Sequence, residues 1–199
     1  RLIDCVGYLI PGVLGHEEEG RERMVMTPWS EEKMAFAQAA EYGTEKVITD
    51  HSSVGIVVTT DGTIGDLPRN NYIEAEEKTV NQLKELQKPF VVLLNTTVPQ
   101  SQTAQELAEK LEAEYDVPVI PVNCQKMGME GFDEVFQKLV YQFPASEVDF
   151  RLPGYLEALP GSHWVKESII SSVRNWMNQF ETIGDIMETC RMIADGKII

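Results

Sequence analysis

The sequence predicts an α/β fold: a parallel sheet flanked by helices, followed by a helical segment that starts a second domain. Three observations predict it. Short β-branched runs without polar alternation, such as Val54–Thr60, read as strands covered on both faces. Stretches with apolar residues at helical spacing separate them. Beyond Pro144 the texture changes, and no further strand run follows.

The first expected strand is Leu2-Ile3-Asp4-Cys5-Val6-Gly7. It ends in Asp4 at the carboxyl end, where open α/β sheets keep their ligands, and Gly7 follows three residues later. An aspartate there can hold a Mg²⁺-bound water, and a glycine lets a backbone N–H approach a terminal phosphate closely. Tyr8 to Lys33, with glycines, two prolines and Glu17-Glu18-Glu19, reads as a long loop anchored by Trp29. A helix is expected from Met34 to His51, where Phe36, Ala39, Ala40, Gly43, Val47 and Ile48 keep near-helical spacing. The strand Val54–Thr60 runs into Thr59-Thr60-Asp61-Gly62-Thr63-Ile64-Gly65-Asp66, a hydroxyl- and glycine-rich loop on the expected ligand side.

An amphipathic helix is expected over Tyr72–Gln87, with Ile73, Val80, Leu83 and Leu86 inward and acids near its start, where the helix dipole favours them. The strand Phe90–Leu94 ends at Asn95-Thr96-Thr97-Val98. A helix capped by Ser101 runs to Tyr115, a strand Val117–Val122 ends at Asn123-Cys124, and a helix Gly131–Tyr141 closes the domain, placed at 1–143. All four strands thus end in a small or polar residue: Asp4, Thr59, Asn95 and Asn123. Residues 144–162 read as a linker. The stripe Val165, Ile169, Val173, Trp176, Phe180, then Ile183, Met187, Cys190 and Ile193, predicts one long helix or two breaking near Gly184, in a domain starting at 163.

The totals exclude several functions. Net charge is -15 over 199 residues, which repels nucleic-acid backbones and anionic membranes. The acidic runs, Glu74-Ala75-Glu76-Glu77 included, read as solvated faces. Three distant cysteines form no C-x-x-C pair, and Cys5 and Cys124 read as small buried hydrophobes in strands. His16, His51 and His163 are too scattered for a zinc site or triad, and His51 is expected to end a helix. Met24, Met26, Met127 and Met129 read as gap-filling or loop residues. Asp50, Asp61 and Glu41 could each position a water, and Asp61 is preferred because it leaves a strand on the ligand side. A cytosolic protein is expected, with no transmembrane run. Arg1 stands inside an apparent strand and Gly196-Lys197-Ile198-Ile199 looks unfinished, so a fragment of a longer protein is expected.

Arg1-Leu2-Ile3-Asp4-Cys5-Val6-Gly7-Tyr8, Thr27-Pro28-Trp29, His51-Ser52-Ser53-Val54-Gly55, the Thr59–Asp66 loop and Tyr72-Ile73-Glu74-Ala75-Glu76-Glu77 together resemble the stage IV sporulation protein A family. The resemblance covers nearly the whole chain. It implies a P-loop NTPase-like domain, similar to the translation-factor class of GTPases but using ATP and Mg²⁺. It implies hydrolysis that drives self-polymerisation into the layer on which the spore coat is built. The implied partners are the protein itself, other coat proteins and a small membrane-associated anchor peptide, in the mother-cell cytoplasm at the forespore surface.

On that resemblance Asp4 is the Walker B aspartate on the metal side and Gly7 the switch glycine, with Asp61 the third candidate catalytic residue. Asn95 and Thr96 stand where a GTPase carries Asn-Lys-x-Asp, and Asn123-Cys124 where the loop backing the base lies. Val98 replaces the acid that would bind guanine, so guanine selectivity has no physical support. No Gly-x-x-x-x-Gly-Lys-Ser/Thr loop occurs in these residues, so the phosphate cradle is expected to lie before Arg1, and this segment alone is expected to hold ATP poorly.

Overall fold

The computed structural model describes residues 1–15, 17, 18 and 20–196. His16, Glu19 and residues 197–199, which carry parts of the expectations above, lie outside the described residues. The chain divides into two units, Arg1–Phe136 and Gln137–Ile199.

Residues 1–10 of the first unit form no strand, which corrects the expectation for Leu2–Gly7. Ile3 to Gly7 line a cavity together with β5 (Gly55–Thr60), whose ladder partner is β6 (Phe90–Asn95). An apolar run becomes a strand only when its N–H and C=O groups find a neighbouring backbone. The expected loop after Tyr8 instead contains two antiparallel hairpins. β1 (Glu17–Glu18) pairs with β2 (Arg21–Glu22), and β3 (Met24–Thr27) pairs with β4 (Ser30–Ala35). Trp29, at the second turn, does anchor its segment. It meets Tyr42 edge-on at 5.8 Å and lies over Gly43.

α1 (Phe36–Lys46) passes into a wider π turn, Val47–His51, so His51 does end the helix. Its last carbonyls are orphaned at a helix end, and Lys88 answers them. The Lys88 ammonium donates to the Ile48 carbonyl and to those of Thr49 (2.8 Å) and Ser52 (2.7 Å). α2 (Ile73–Glu85) then leads to β6, α3 (Gln102–Tyr115) to β7 (Val119–Val122), and β7 to α4 (Met129–Tyr141). Ser101 caps α3 as expected, its hydroxyl accepting from the Ala104 amide at 3.2 Å.

The sheet is parallel in the order β5-β6-β7. Val57, Phe90, Val92, Leu94 and Val119 form one core with Val80 and Leu83 of α2 and Ala108, Leu111 and Tyr115 of α3. Val91, Leu93, Ile120 and Val122 are buried as well, so β6 is covered on both faces. Pro121 sits in β7, the outer strand, where the missing N–H costs least. Among the described residues, the α/β fold with helices flanking a parallel sheet is present with three strands, not four. Cys5 is exposed and Cys124 half-buried, both outside strands, which corrects their assignment to buried strand positions.

The second unit holds α5 (Gly154–Glu157), inside the expected linker, then α6 (Trp164–Met177) and α7 (Ile183–Ala194). The helices break over Asn178–Thr182, just before Gly184. A capping box starts α7: the Thr182 hydroxyl accepts from the Asp185 amide, and the Asp185 carboxylate accepts from the Thr182 amide at 2.7 Å. Ala145 donates to the Glu181 carbonyl and Ile183 to the Phe143 carbonyl, tying this turn to the segment after α4. No described helix is long and apolar enough to cross a membrane.

Candidate functional site

Three parallel strands end side by side: β5 in Thr59-Thr60, β6 in Asn95, and β7 in Val122, which Asn123 follows. Thr59 and Thr60 close β5, both buried. The Thr60 hydroxyl accepts from the Gly62 amide at 3.1 Å, turning the chain back sharply. Gly62 has φ +90°, and a Cβ there would lie 2.9 Å from the Arg69 backbone nitrogen, so only glycine fits.

The turn presents Asp61 to the end of β6. Its Oδ1 accepts from the Thr63 amide (2.9 Å) and hydroxyl (2.6 Å), and its Oδ2 accepts from the Thr96 hydroxyl at 2.6 Å. Thr96 is wholly buried, and its amide donates to the Val122 carbonyl of β7. The Thr63 oxygen in turn accepts from the Thr97 amide at 3.0 Å. Asn95 Oδ1 accepts from the Cys124 amide at 3.0 Å, and Asn123 Oδ1 from the Lys126 amide at 3.2 Å. Asp61, Asn95, Thr96, Asn123 and Cys124 are thus brought to one edge. Burial pushes the Asp61 carboxyl up, but the bonds from Thr63 and Thr96 outweigh it and hold it below the usual range. A carboxylate so engaged organises a loop; it is a weak proton acceptor.

Asp4 and Gly7 lie on a segment that forms no strand, so no ladder fixes them at a strand's last residue as expected. Asp4 is exposed and lines a cavity of about 310 Å³ that runs from Ser52 and Val54 along β5 as far as Val58. Gly7 borders this cavity and the next, of about 400 Å³, which reaches Thr59 and Tyr72. Without ladder bonds the segment cannot carry its aspartate to a strand end. Asp50 pairs with Lys46 at 2.9 Å and Glu41 with Lys78, both on the surface.

Sequence reasoning missed Arg69, Glu76 and Tyr115. Glu76 is only 4% exposed, so the acidic run around it is not wholly a solvated face. Both guanidinium nitrogens of Arg69 donate to its carboxylate, and Tyr115 donates to Oε1 at 2.7 Å. Burial raises the Glu76 carboxyl, yet the bonds from Arg69, Thr59 and Tyr115 hold it below its ordinary value. Burial and the Glu76 carboxylate push the Tyr115 phenol well up. A signal existed: Ile73, Val80 and Leu83 define the inward stripe of α2, and position 76 falls in its gap. An acid on that stripe needs a buried partner.

The family model for the ATPase domain of stage IV sporulation protein A matches residues 1–144. The chain belongs to the stage IV sporulation protein A family. The model for that family's middle domain matches residues 145–199. Stage IV sporulation protein A of Clostridioides difficile (strain 630) is 47% identical over 94% of this chain and 38% of its own length. The Bacillus anthracis protein is 42% identical over the same shares. That of Bacillus subtilis (strain 168) is 41% identical over the whole chain and 40% of its own length. The chain therefore spans less than half of these curated relatives. No solved structure matches it.

The chemistry of the edge fits part of a nucleotide. Neutral amides and hydroxyls suit the base side, and Val98 offers no acid for guanine. No Gly-Lys-Ser/Thr loop for phosphates is present in the sequence. No group of three or more His, Cys, Asp or Glu side chains that could hold a metal ion forms among the described residues.

Proposed function

We propose that the full-length protein is an ATP-hydrolysing, self-polymerising morphogenetic protein that forms the basement layer for the spore coat at the forespore surface, in the mother-cell cytoplasm. The match of residues 1–144 to the family's ATPase domain carries this reading. In it, residues 1–143 are the carboxyl-terminal part of a P-loop NTPase-like domain of translation-factor type, 144–162 a linker, and 163–199 the start of the middle domain. Asn95, Thr96, Asn123 and Cys124 form the base side of an ATP site, kept in shape by Asp61. Asp4 serves Mg²⁺ and Gly7 the terminal phosphate once the phosphate loop stands beside them. Its partners are further copies of itself, other coat proteins and a small membrane-associated anchor peptide.

A scaffold that keeps the fold without turnover is the second reading, favoured by the exposure of Asp4 on a segment that forms no strand. The test is ATP hydrolysis and sedimentation of the full-length protein beside Asp4→Ala. Turnover and pelleting that both collapse in the variant are the expected result. Polymer that forms equally well without ATP, and in Asp4→Ala, overturns the ATPase-driven mechanism and leaves the scaffold.

A further inference from the structure

Arg69 joins the end of β5 to α2 with one side chain. Its Nη1 donates to the Thr59 hydroxyl at 2.8 Å, to the Thr60 carbonyl at 3.4 Å and to Glu76, and its Nη2 donates to Glu76 Oε1 at 2.6 Å. Thr59 and Thr60 end β5, Glu76 belongs to α2, and Tyr115 at the end of α3 braces the same carboxylate. The residues between Thr60 and Arg69 form the loop that carries Asp61 and Thr63. That loop is fixed at its start through the guanidinium and at its end by the backbone of Arg69, against which Gly62 is packed.

We infer that Arg69 is the positioning residue of this edge: it holds the Asp61–Leu67 loop so that Asp61 and Thr63 stay locked on Thr96 and Thr97, in the shape that receives the nucleotide base. The inference rests on the nucleotide reading proposed above. Stability alone is a poor reason for such a pair, because apolar replacements of buried ion pairs are often neutral or stabilising. Geometry is a better one. A planar fork can grip a carboxylate while its remaining N–H groups reach a hydroxyl and a carbonyl; a lysine ammonium cannot span all of them. The contacts at Thr59 and Thr60 are the ones an ion pair does not need and a loop clamp does.

The experiment uses the full-length protein with Arg69→Lys, Thr59→Val and Tyr115→Phe. Three quantities are read: affinity for a fluorescent ATP analogue, the thermal midpoint, and hydrogen exchange in peptides covering Asp61–Leu67 and Phe90–Asn95. Arg69→Lys should weaken nucleotide binding and speed loop exchange by about tenfold, the scale of one hydrogen bond to a charged group, with β6 exchange unchanged. Thr59→Val keeps the β-branched shape and should give a smaller change of the same pattern. Tyr115→Phe removes one of the two donors on Glu76 Oε1 and leaves the Nη1 contacts of Arg69 with Thr59 and Thr60 in place; it should lower the midpoint without altering affinity or loop exchange. The inference is overturned if Arg69→Lys and Thr59→Val leave loop exchange unchanged, or speed loop and β6 exchange alike. A wild-type protein that binds no ATP sinks the nucleotide reading instead, and loop exchange still decides for or against Arg69.

Discussion

Leu2-Ile3-Asp4-Cys5-Val6-Gly7 and Gly55-Ile56-Val57-Val58-Thr59-Thr60 are both short apolar runs ending in small or polar residues. Only the second is a strand. Every residue of β5 pairs with β6, from Gly55 with Phe90 to Thr60 with Asn95, and Val57 enters the core beside Val80 and Leu83. The first run lies alongside with Leu2 91% and Val6 66% exposed. Side-chain bonds tether its neighbourhood. The Tyr8 hydroxyl donates to Gln82 at 2.5 Å, the Lys78 ammonium stands 4.1 Å over the Tyr8 ring, and Asn71 donates to the Pro11 carbonyl at 2.7 Å. A strand is a property of a pair, so composition within one run cannot decide it.

The largest effect expected separates the two regions outright. Leu94 is fully buried at the centre of the sheet. Leu94→Ala should cost about 2–5 kcal/mol in urea denaturation, from lost transfer energy and the cavity left behind. Val6→Ala should stay within about 0.5 kcal/mol, the range of exposed positions. Equal costs would mean that the amino-terminal run belongs to the core.

The same contrast explains what was legible in the sequence. β5, β6, β7, α2 and α3 were, because their apolar residues lie in periodic register and meet each other at short sequence range. Asn95 and Asn123 were placed at the carboxyl edge for the same reason: each directly follows a strand's last apolar residue, Leu94 or Val122, and Thr96 comes with Asn95. The hairpins β1–β4 were not, since Met24–Thr27 and Ser30–Ala35 alternate weakly and their acids read as loop. Nor was the Arg69–Glu76 pair. Its signal was an absence, a gap in the stripe of α2, and the partner lies in an adjacent irregular segment where no periodicity points.

Glu76→Gln is the next largest, at about 1.5–3 kcal/mol at neutral pH for a bond to a charged group. Its pH dependence has a definite sign. The folded-state value of Glu76 lies below its ordinary 4.5, so the carboxylate's contribution is complete above that value and is lost as pH falls through the folded one. The difference between wild type and Glu76→Gln should therefore shrink on acidification. A difference that stays constant would show that Glu76 contributes by shape and not by charge.

Thr96→Val keeps the volume at a fully buried position and removes the hydroxyl that Asp61 accepts from. A loss of about 1–2 kcal/mol is expected, together with a rise of the Asp61 carboxyl from its lowered value toward or above 3.8, read by carboxyl NMR titration. An unmoved Asp61 would assign its lowered value to Thr63 alone.

Tyr8→Phe is the smallest and tests the weaker region on its own terms. Burial first, then the carboxylates of Glu45 and Glu41, push the Tyr8 phenol up to about 12 from 10.0. A group raised on folding contributes fully below its ordinary value and loses that contribution as pH climbs through the raised one. Ultraviolet titration should thus show one late-ionising tyrosine fewer in the variant. The ring stays on Lys78, so only the bond to Gln82 disappears, for about 0.5 kcal/mol given its partial exposure. Hydrogen exchange should quicken in residues 3–12 and nowhere in β6. Tyr8→Ala removes the ring as well and should release the same residues further, still without touching β6. If it loosens β6 too, side-chain tethers and the ladder hold one cooperative structure, and the line drawn between the two runs is wrong.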